Sequence, residues 1–134
     1  TLAWPLFRAS KQTITSLDIR STDMNTQPDD ENEDNSIYQV PNLENLVIYG
    51  GKSTKFLKHN ANHLVSLTLY DVSLESELPE LPQLRECEIS SDSGGENYPL
   101  IFPKCRESLQ CLVMNDWSLD DHALAMPQLK VIYM

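Results

Sequence analysis

The sequence has little of several features that place a protein in a familiar class. It holds 3 cysteines and 4 glycines among 134 residues. Three cysteines cannot pair evenly, and their spacing matches neither a disulfide framework nor a zinc knuckle. No apolar run approaches the roughly 18 residues that a membrane-spanning helix needs, and the first ten residues do not resemble a signal peptide. These absences predict a cytoplasmic or nuclear protein with reduced thiols.

Basic residues are also scarce, since 10 Lys and Arg stand against 20 Asp and Glu, and the net charge is -10. Binding to a phosphate backbone needs clustered Lys and Arg, and anionic membranes repel an acidic surface. We therefore expect neither a nucleic acid nor a membrane as partner. Five carboxylates lie in the segment 26–36, which has no basic residue and almost no apolar one. Such a composition predicts a disordered acidic insertion loop.

The sequence does contain an internal repeat. Segments 64–84 and 109–129 align without a gap and share eight identities in 21 positions. A shorter motif, apolar at positions 1, 4 and 6, recurs six times, and it starts at Ile14, Leu43, Leu64, Leu84, Leu109 and Leu129. Alternate side chains of a strand share one face, so positions 4 and 6 are predicted to be buried and positions 3, 5 and 7 to face outward. Stacked copies can bury together what one copy cannot, with their strands paired in parallel.

Two kinds of repeat alternate along the chain. One kind opens with Pro-x-Leu, at Pro41, Pro82 and Pro127. The other follows a turn that contains Phe, and these turns, near residues 3–12, 53–63 and 99–107, are predicted to be short helices. Pro103 in the third turn suits only the first turn of a helix. Asp71 and Asp116, at matching strand ends, are predicted to close Asx-turns.

The Leu-x-x-Leu-x-Leu pattern and the period near twenty resemble the leucine-rich repeat, and the likeness covers nearly the whole chain. The alternating units and the missing cysteine caps are most similar to the intracellular repeats of F-box proteins and their ribonuclease-inhibitor-like relatives. The resemblance implies an α/β solenoid of about six repeats in a single domain, 1–134, as a fragment of a longer solenoid. It implies a parallel concave sheet, with short helices or irregular turns on the convex side. In that family the concave surface binds substrates, and a separate F-box, which this sequence lacks, links to a ubiquitin ligase.

No group of residues in the sequence is typical of catalysis or of metal binding. His59 and His63 stand four apart, but no carboxylate or cysteine lies at ligand spacing, so we interpret both as solvated. Neither Gly50-Gly51 nor Gly94-Gly95 is part of the complete Gly-rich pattern of a phosphate-binding loop, which favours simple turns. A solenoid surface also offers few deep clefts of the kind that enzymes use. We expect no enzyme, no cofactor and no metal.

The outward strand positions form the predicted partner-binding surface. The residues chosen from the concave face are Arg20, Tyr49, Thr68, Tyr70, Glu86, Glu88, Asn115 and Tyr133. Tyr49 and Tyr70 are predicted to be neighbours on adjacent strands, and exposed tyrosines suit interface hot spots. The alternative is ordinary cross-strand packing. Glu86 and Glu88 add an acidic patch that favours a partner with a basic surface.

The sequence thus predicts a monomeric protein–protein interaction module, and substrate recognition for a ubiquitin ligase is its most concrete form. Two alternatives stay open. The chain could be a structural segment of a larger solenoid without a ligand of its own. It could also be a fragment of an extracellular receptor ectodomain, although neither cysteine-rich caps nor Asn-x-Ser/Thr glycosylation signals occur in it.

Overall fold

The protein is an α/β protein built on one open, parallel sheet. The computed structural model describes residues 4–20, 35–51, 55–72, 74, 78–90, 98–114 and 127–133. In these residues six strands lie side by side in chain order: β1 (Ser16–Arg20), β2 (Asn45–Gly51), β3 (Ser66–Val72), β4 (Glu86–Ser90), β5 (Cys111–Met114) and β6 (Val131–Tyr133). The described helices are α1 (Trp4–Ser10), α2 (Lys55–Asn60), α3 (Tyr98–Cys105) and a short 3-10 helix (Asn35–Tyr38).

The register of the sheet pairs equivalent positions of the six motifs. Position 4 forms one continuous row of register partners across the sheet, which runs Leu17, Leu46, Leu67, Cys87, Leu112 and Ile132. All five strand pairs are parallel, so the predicted parallel sheet with all six motifs in one register is confirmed. A parallel pairing without slippage keeps every apolar position on the same face, because the side-chain period of a strand is two.

A repeated backbone contact joins each motif to the next at position 2. The carbonyl oxygen of Thr15 accepts hydrogen bonds from the backbone N–H groups of Glu44 and Asn45, at 2.9 and 3.0 Å. The same contact recurs at the next four boundaries. There the position 2 carbonyl accepts hydrogen bonds from the backbone N–H groups at positions 2 and 3 of the following motif, at 2.8–3.1 Å; the acceptors are Glu44, Val65, Arg85 and Gln110. The backbone therefore follows an equivalent path at each of the five boundaries between the described strands.

The Phe-containing turns form helices that share one type of end. The last residue of each helix lies four residues before a motif, and its carbonyl accepts the N–H of the first motif residue: Ser10 from Ile14, Asn60 from Leu64 and Cys105 from Leu109, at 3.0–3.2 Å. The predicted short helices are confirmed. The prediction that Pro103 lies in the first turn of a helix was wrong, because this residue is in the interior of α3. The Pro103 side chain is exposed, while the neighbouring Ile101 and Phe102 are buried. Burial of these two apolar side chains offsets the backbone hydrogen bond that Pro103 cannot donate.

The Pro-x-Leu repeats enter their strands through a different, tighter turn. The N–H of Leu43 donates to the carbonyl of Val40 at 3.0 Å, and the N–H of Leu84 donates to that of Leu81 at 3.3 Å. These three-residue steps make β-turns whose second residue is a proline, and the fixed φ of proline suits that position. The two kinds of repeat in the sequence thus differ in the structure that precedes the strand, which is a helix in one kind and a β-turn in the other.

The hydrophobic core lies between the sheet and the helices. Leu46, Leu67 and Leu112 are 1%, 0% and 2% exposed, as the motif predicts. Phe56 of α2 packs edge-on against the rings of Phe7 and Tyr38, with centroid separations of 5.5 and 5.1 Å. The sheet therefore has one face covered by helices. We call the other side, formed by motif positions 3, 5 and 7, the open face.

β2 and β3 extend beyond their motifs, and both bend at the same place. The prediction of a Gly50-Gly51 turn was wrong, because both glycines belong to β2. Gly50 has φ 72°, and Asp71 opposite it in β3 has φ 54°. Asp tolerates this left-handed region better than most residues. The N–H that an Asx-turn at Asp71 would use lies outside the described residues, and so does Asp116.

The predicted acidic insertion lies largely outside the described residues. This holds for residues 26–34 of the acidic segment, whereas its last two residues begin the 3-10 helix Asn35–Tyr38. Residues 91–97, which include the predicted turn at Gly94-Gly95, are likewise outside, and α3 starts at Tyr98. None of the helices in the described ranges has the length and apolar character needed to cross a membrane.

Candidate functional site on the open face

Three rows of side chains run across the open face, one from each outward motif position. Position 3 supplies Ser16, Asn45, Ser66, Glu86, Cys111 and Val131; position 5 supplies Asp18, Val47, Thr68, Glu88, Val113 and Tyr133; position 7 supplies Arg20, Tyr49, Tyr70 and Ser90. Every described side chain in these rows is half-buried or exposed. The open face therefore presents a regular array of side chains on one parallel sheet.

Tyr49 and Tyr70 form the aromatic centre of this face. They are register partners on β2 and β3, and their rings stack with centroids 5.0 Å apart and an interplanar angle of 20°. Adjacent strands are about 4.8 Å apart, so the stack follows directly from the register. Tyr49 is 41% exposed and Tyr70 is half-buried. The predicted adjacency of the two tyrosines is confirmed.

A hydrogen bond connects this stack to the acidic strand β4. The Tyr70 hydroxyl donates to Oε1 of Glu88 at 3.1 Å. Partial burial, and then the hydrogen bond and charge of Glu88, raise the pKa of Tyr70 above its ordinary value. The phenol consequently keeps its proton at neutral pH and continues to donate. One carboxylate oxygen of Glu88 is thereby held in place beside the Tyr70 ring.

The remaining predicted site residues fall into three groups. Thr68 is the register partner of Glu88, and Glu86 lies two residues before Glu88 on the same face of β4. Arg20 is exposed at the end of the tyrosine row, in register with Tyr49. Asn115 and the side chain of Tyr133 lie outside the described residues. The structure thus gathers the tyrosines, Thr68 and the two glutamates on β2–β4, with Arg20 at one border.

The open face also includes residues that the predicted site left out. Val47 and Val113 are half-buried in the middle row, beside Thr68 and Glu88 respectively. Ser90 is the register partner of Tyr70. The motif assigns all three to outward positions, so the periodicity alone could have placed them in the site. The two valines add apolar area to the middle row, and the serine adds a small side chain next to Tyr70.

The covered side holds a polar cluster that the sequence prediction missed. Asn60, at the end of α2, is fully buried. Its Oδ1 accepts the backbone N–H of Val40 at 2.9 Å, and its Nδ2 donates to the carbonyls of Tyr38 and Phe56, both at 2.7 Å. The signal in the sequence is its position, four residues before Leu64, where Ser10 and Cys105 stand in the other helices. The Asn60 side chain thus connects the 3-10 helix to α2 through hydrogen bonds.

The interpretation of His59 and His63 as solvated was wrong, because both side chains are half-buried and contact residues 38–40. Nε2 of His63 lies 2.9 Å from the carbonyl oxygen of Val40. A carbonyl can only accept, so this nitrogen carries the proton. The ring of His59 stacks on Tyr38 at 5.7 Å. Both imidazoles therefore help to pack the 3-10 helix onto α2.

The three thiols differ sharply in their surroundings. Cys87 and Cys105 are buried, whereas Cys111 is half-buried on the open face. Burial raises the pKa of Cys87 well above its ordinary value and that of Cys105 to about 12. Partial burial and the charge of Glu86 also raise the pKa of Cys111. None of the three environments favours the thiolate, which is the reactive form of cysteine.

We expect a water-soluble disulfide reagent at pH 8 to modify one thiol in the folded protein, Cys111, and all three after denaturation. The reason is access, since Cys87 and Cys105 lie in the core. The release of the coloured thiol product, followed over time, counts the reacting groups. The variant Cys111→Ser should show no fast phase. Fast reaction of two or three thiols in the folded wild type would contradict the described core.

The open face carries groups that are suited to non-covalent contacts. No group of three or more His, Cys, Asp or Glu side chains within the described ranges could hold a metal ion. The face instead offers stacked aromatic rings, an oriented carboxylate and small or apolar neighbours. Comparison of the chain with family models, with curated proteins and with solved structures gave no match to any of them.

Proposed function

We propose that the chain is a leucine-rich-repeat protein that binds a partner protein on the open face of its sheet. The observation that carries the proposal is the stack of Tyr49 and Tyr70, tied to Glu88 and left uncovered by the helices. The repeat assignment is supported by the sixfold motif, the single parallel register and the recurring position 2 contact. In this arrangement the open face corresponds to the concave side of a solenoid.

The composition of the face favours a protein as its partner. Tyrosine is enriched among the residues that dominate interface energies, because it buries a large area and keeps a polar tip. The stacked rings have little side-chain freedom left to lose, so less entropy opposes binding. Glu86 and Glu88 beside them favour a basic partner surface and faster association.

Substrate recognition for a ubiquitin ligase is the most concrete form of this proposal, and it is supported by the resemblance of the repeats to those of F-box proteins. The rival is a structural segment of a larger solenoid, in which the tyrosines only pack against each other. The two differ in what the open face contributes. Substitutions on it should weaken binding in the first case and leave every interaction unchanged in the second.

Replacing both Tyr49 and Tyr70 with Ala should remove roughly 2–4 kcal/mol of affinity for a partner, as hot-spot truncations do. Partners would first be captured from cell extract and identified, and the affinity of the purified pair would then be measured by calorimetry. Leu6→Ala is the matched control, because Leu6 is an exposed apolar residue (69%) on a helix. An unchanged affinity for the tyrosine variant would move the site away from the open face. Failure of the wild type to capture anything would favour the structural segment.

A further inference from the structure

The first helix exposes an apolar side chain at a position that the other two helices bury. Leu6, Phe56 and Ile101 are each the eighth residue before their motif, in α1, α2 and α3 respectively. Phe56 and Ile101 are 0% exposed, whereas Leu6 is 69% exposed. The Phe56 ring packs against Tyr38, in the segment that leads into the preceding Pro-x-Leu repeat. Leu6 therefore lies on the side of α1 where a preceding Pro-x-Leu repeat fits.

The last strand exposes an apolar side chain at the opposite end of the sheet. Ile132 of β6 holds motif position 4, in register with Leu112 on the covered face. The five other residues of this row are 0–8% exposed, whereas Ile132 is 44% exposed. β6 belongs to the Pro-x-Leu repeat of Pro127, and the earlier Pro-x-Leu strands, β2 and β4, are each followed by the strand of a Phe-containing repeat. Ile132 therefore lies where a following Phe-containing repeat fits.

The backbone groups at the two outer edges of the sheet are complementary. At each of the five described boundaries a position 2 carbonyl accepts the N–H groups at positions 2 and 3 of the next motif. Lys130 holds position 2 of the last motif, and Thr15 and Ser16 hold positions 2 and 3 of the first. Within the described part of the chain, no backbone group bonds to the Lys130 carbonyl or to the N–H groups of Thr15 and Ser16. One edge thus presents the acceptor of a further boundary, and the other edge presents its two donors.

We propose that copies of this chain associate head to tail, with β6 of one copy paired in parallel with β1 of the next. The contact continues boundaries that the sheet already contains, because it places a Phe-containing repeat after a Pro-x-Leu repeat, as at β2–β3 and β4–β5. It sets Ile132 beside Leu17 of the next copy and packs Leu6 of that copy against the last Pro-x-Leu repeat. The partner is therefore a second copy, in place of the monomer that the sequence predicts.

The symmetry of this contact determines what it assembles. The two surfaces that meet are different, so each added copy leaves one end of each kind uncovered. Such heterologous contacts generate rings if the rotation closes and open filaments if it does not. The average mass of the wild type should therefore rise steadily with concentration. A contact between two identical edges would stop at a dimer.

Charge opposes the association, and this gives it a characteristic salt dependence. Each copy has a net charge of -10, so two copies repel each other, and added salt screens the repulsion. The side chains that meet at the contact are apolar and need no opposite charge. Association should therefore strengthen as sodium chloride is raised. Weaker association at higher salt would show a contact between opposite charges and would overturn the proposal.

The test is analytical ultracentrifugation of two variants, Leu6→Asp and Ile132→Asp, each alone and then mixed in equal amounts. Each substitution puts a carboxylate into one end of the contact, so all copies in either sample lack the same end and should sediment as monomers. The mixture still combines an intact β6 end from the Leu6 variant with an intact α1 end from the Ile132 variant. It should form a dimer of mixed composition and nothing larger. Both sites are exposed, and circular dichroism checks that each variant is folded.

A matched control and the contrary outcomes complete the experiment. Asn62→Asp adds the same charge on the exposed turn after α2 and should associate like the wild type. A wild type that stays monomeric at every concentration and salt level would overturn the proposal. Dimers of Leu6→Asp alone would do the same, because they would show two β6 edges paired with each other.

The proposal is independent of the proposed function, because the contact uses the ends of the sheet and leaves its open face uncovered. The double variant with Ala at Tyr49 and Tyr70 should therefore associate like the wild type, even where it loses its partner. Loss of association in this variant would place the contact on the open face and overturn the head-to-tail arrangement.

Discussion

Asn60→Ala is expected to lower the free energy of unfolding by about 2–6 kcal/mol. The substitution removes the side chain that satisfies the N–H of Val40 and the carbonyl of Tyr38. Both groups are buried, and each buried backbone group left unpaired costs about 1–3 kcal/mol. A loss of this size is a large part of the roughly 5–15 kcal/mol that stabilises a typical domain. Urea unfolding followed by circular dichroism measures it.

Asn62→Ala provides the control for this substitution. Asn62 lies two residues further along the same turn, but its side chain is exposed, so its removal should change the stability by less than about 0.5 kcal/mol. The comparison separates the buried hydrogen bonds from any effect of asparagine in the turn itself. Equal stabilities of the two variants would mean that Asn60 is not the connection between α2 and the 3-10 helix.

Leu67→Ala is expected to lower the free energy of unfolding by about 2–5 kcal/mol, from lost transfer energy and the cavity that remains. Leu67, the second residue of β3, is 0% exposed, and its register partners are Leu46 and Cys87. Neighbours on both sides are fixed in a continuous sheet, so collapse around the cavity is restricted. Urea unfolding again measures the change.

Thr68→Ala tests the orientation of the same strand. Thr68 is the next residue of β3 and belongs to the open face, where it is half-buried. Its truncation should cost under about 1 kcal/mol, since cross-strand pairs on such a face contribute roughly 0.2–1 kcal/mol. A cost for Thr68→Ala that matched the cost for Leu67→Ala would contradict the assignment of covered and open faces.

The two faces of the sheet separate the core from the proposed binding surface. The covered face holds the core, including Leu46, Leu67 and Leu112, which are almost fully buried. The open face holds the stack of Tyr49 and Tyr70, whose polar tips remain near water. Substitutions on the open face should therefore change binding while leaving the fold largely intact, and this separation makes the proposed binding tests interpretable.

The sequence by itself determined the sheet, its register and the direction of its side chains. A strand has a side-chain period of two, and the motif places its apolar residues at positions 4 and 6, so one face must be covered. Six copies in one chain then pair position by position, and this brings Tyr49 beside Tyr70. Such features follow from local periodicity, which one sequence displays directly. The placement of the helices followed in the same way from the Phe-containing turns.

Only the tertiary structure decided the contacts between side chains far apart in the chain. Asn60 bonds to Val40 and Tyr38, which are 20 and 22 residues away, and Tyr70 bonds to Glu88, which is 18 residues away. The position of Asn60 four residues before Leu64 marks the end of a helix but not a buried side chain, because the same polar turn also contains the exposed Asn62. The pairing of Tyr70 with Glu88 is diagonal, since its register partner is Ser90. Periodicity assigns a side chain to a face, but the direction it takes across that face depends on the size and polarity of its neighbours on the adjacent strands.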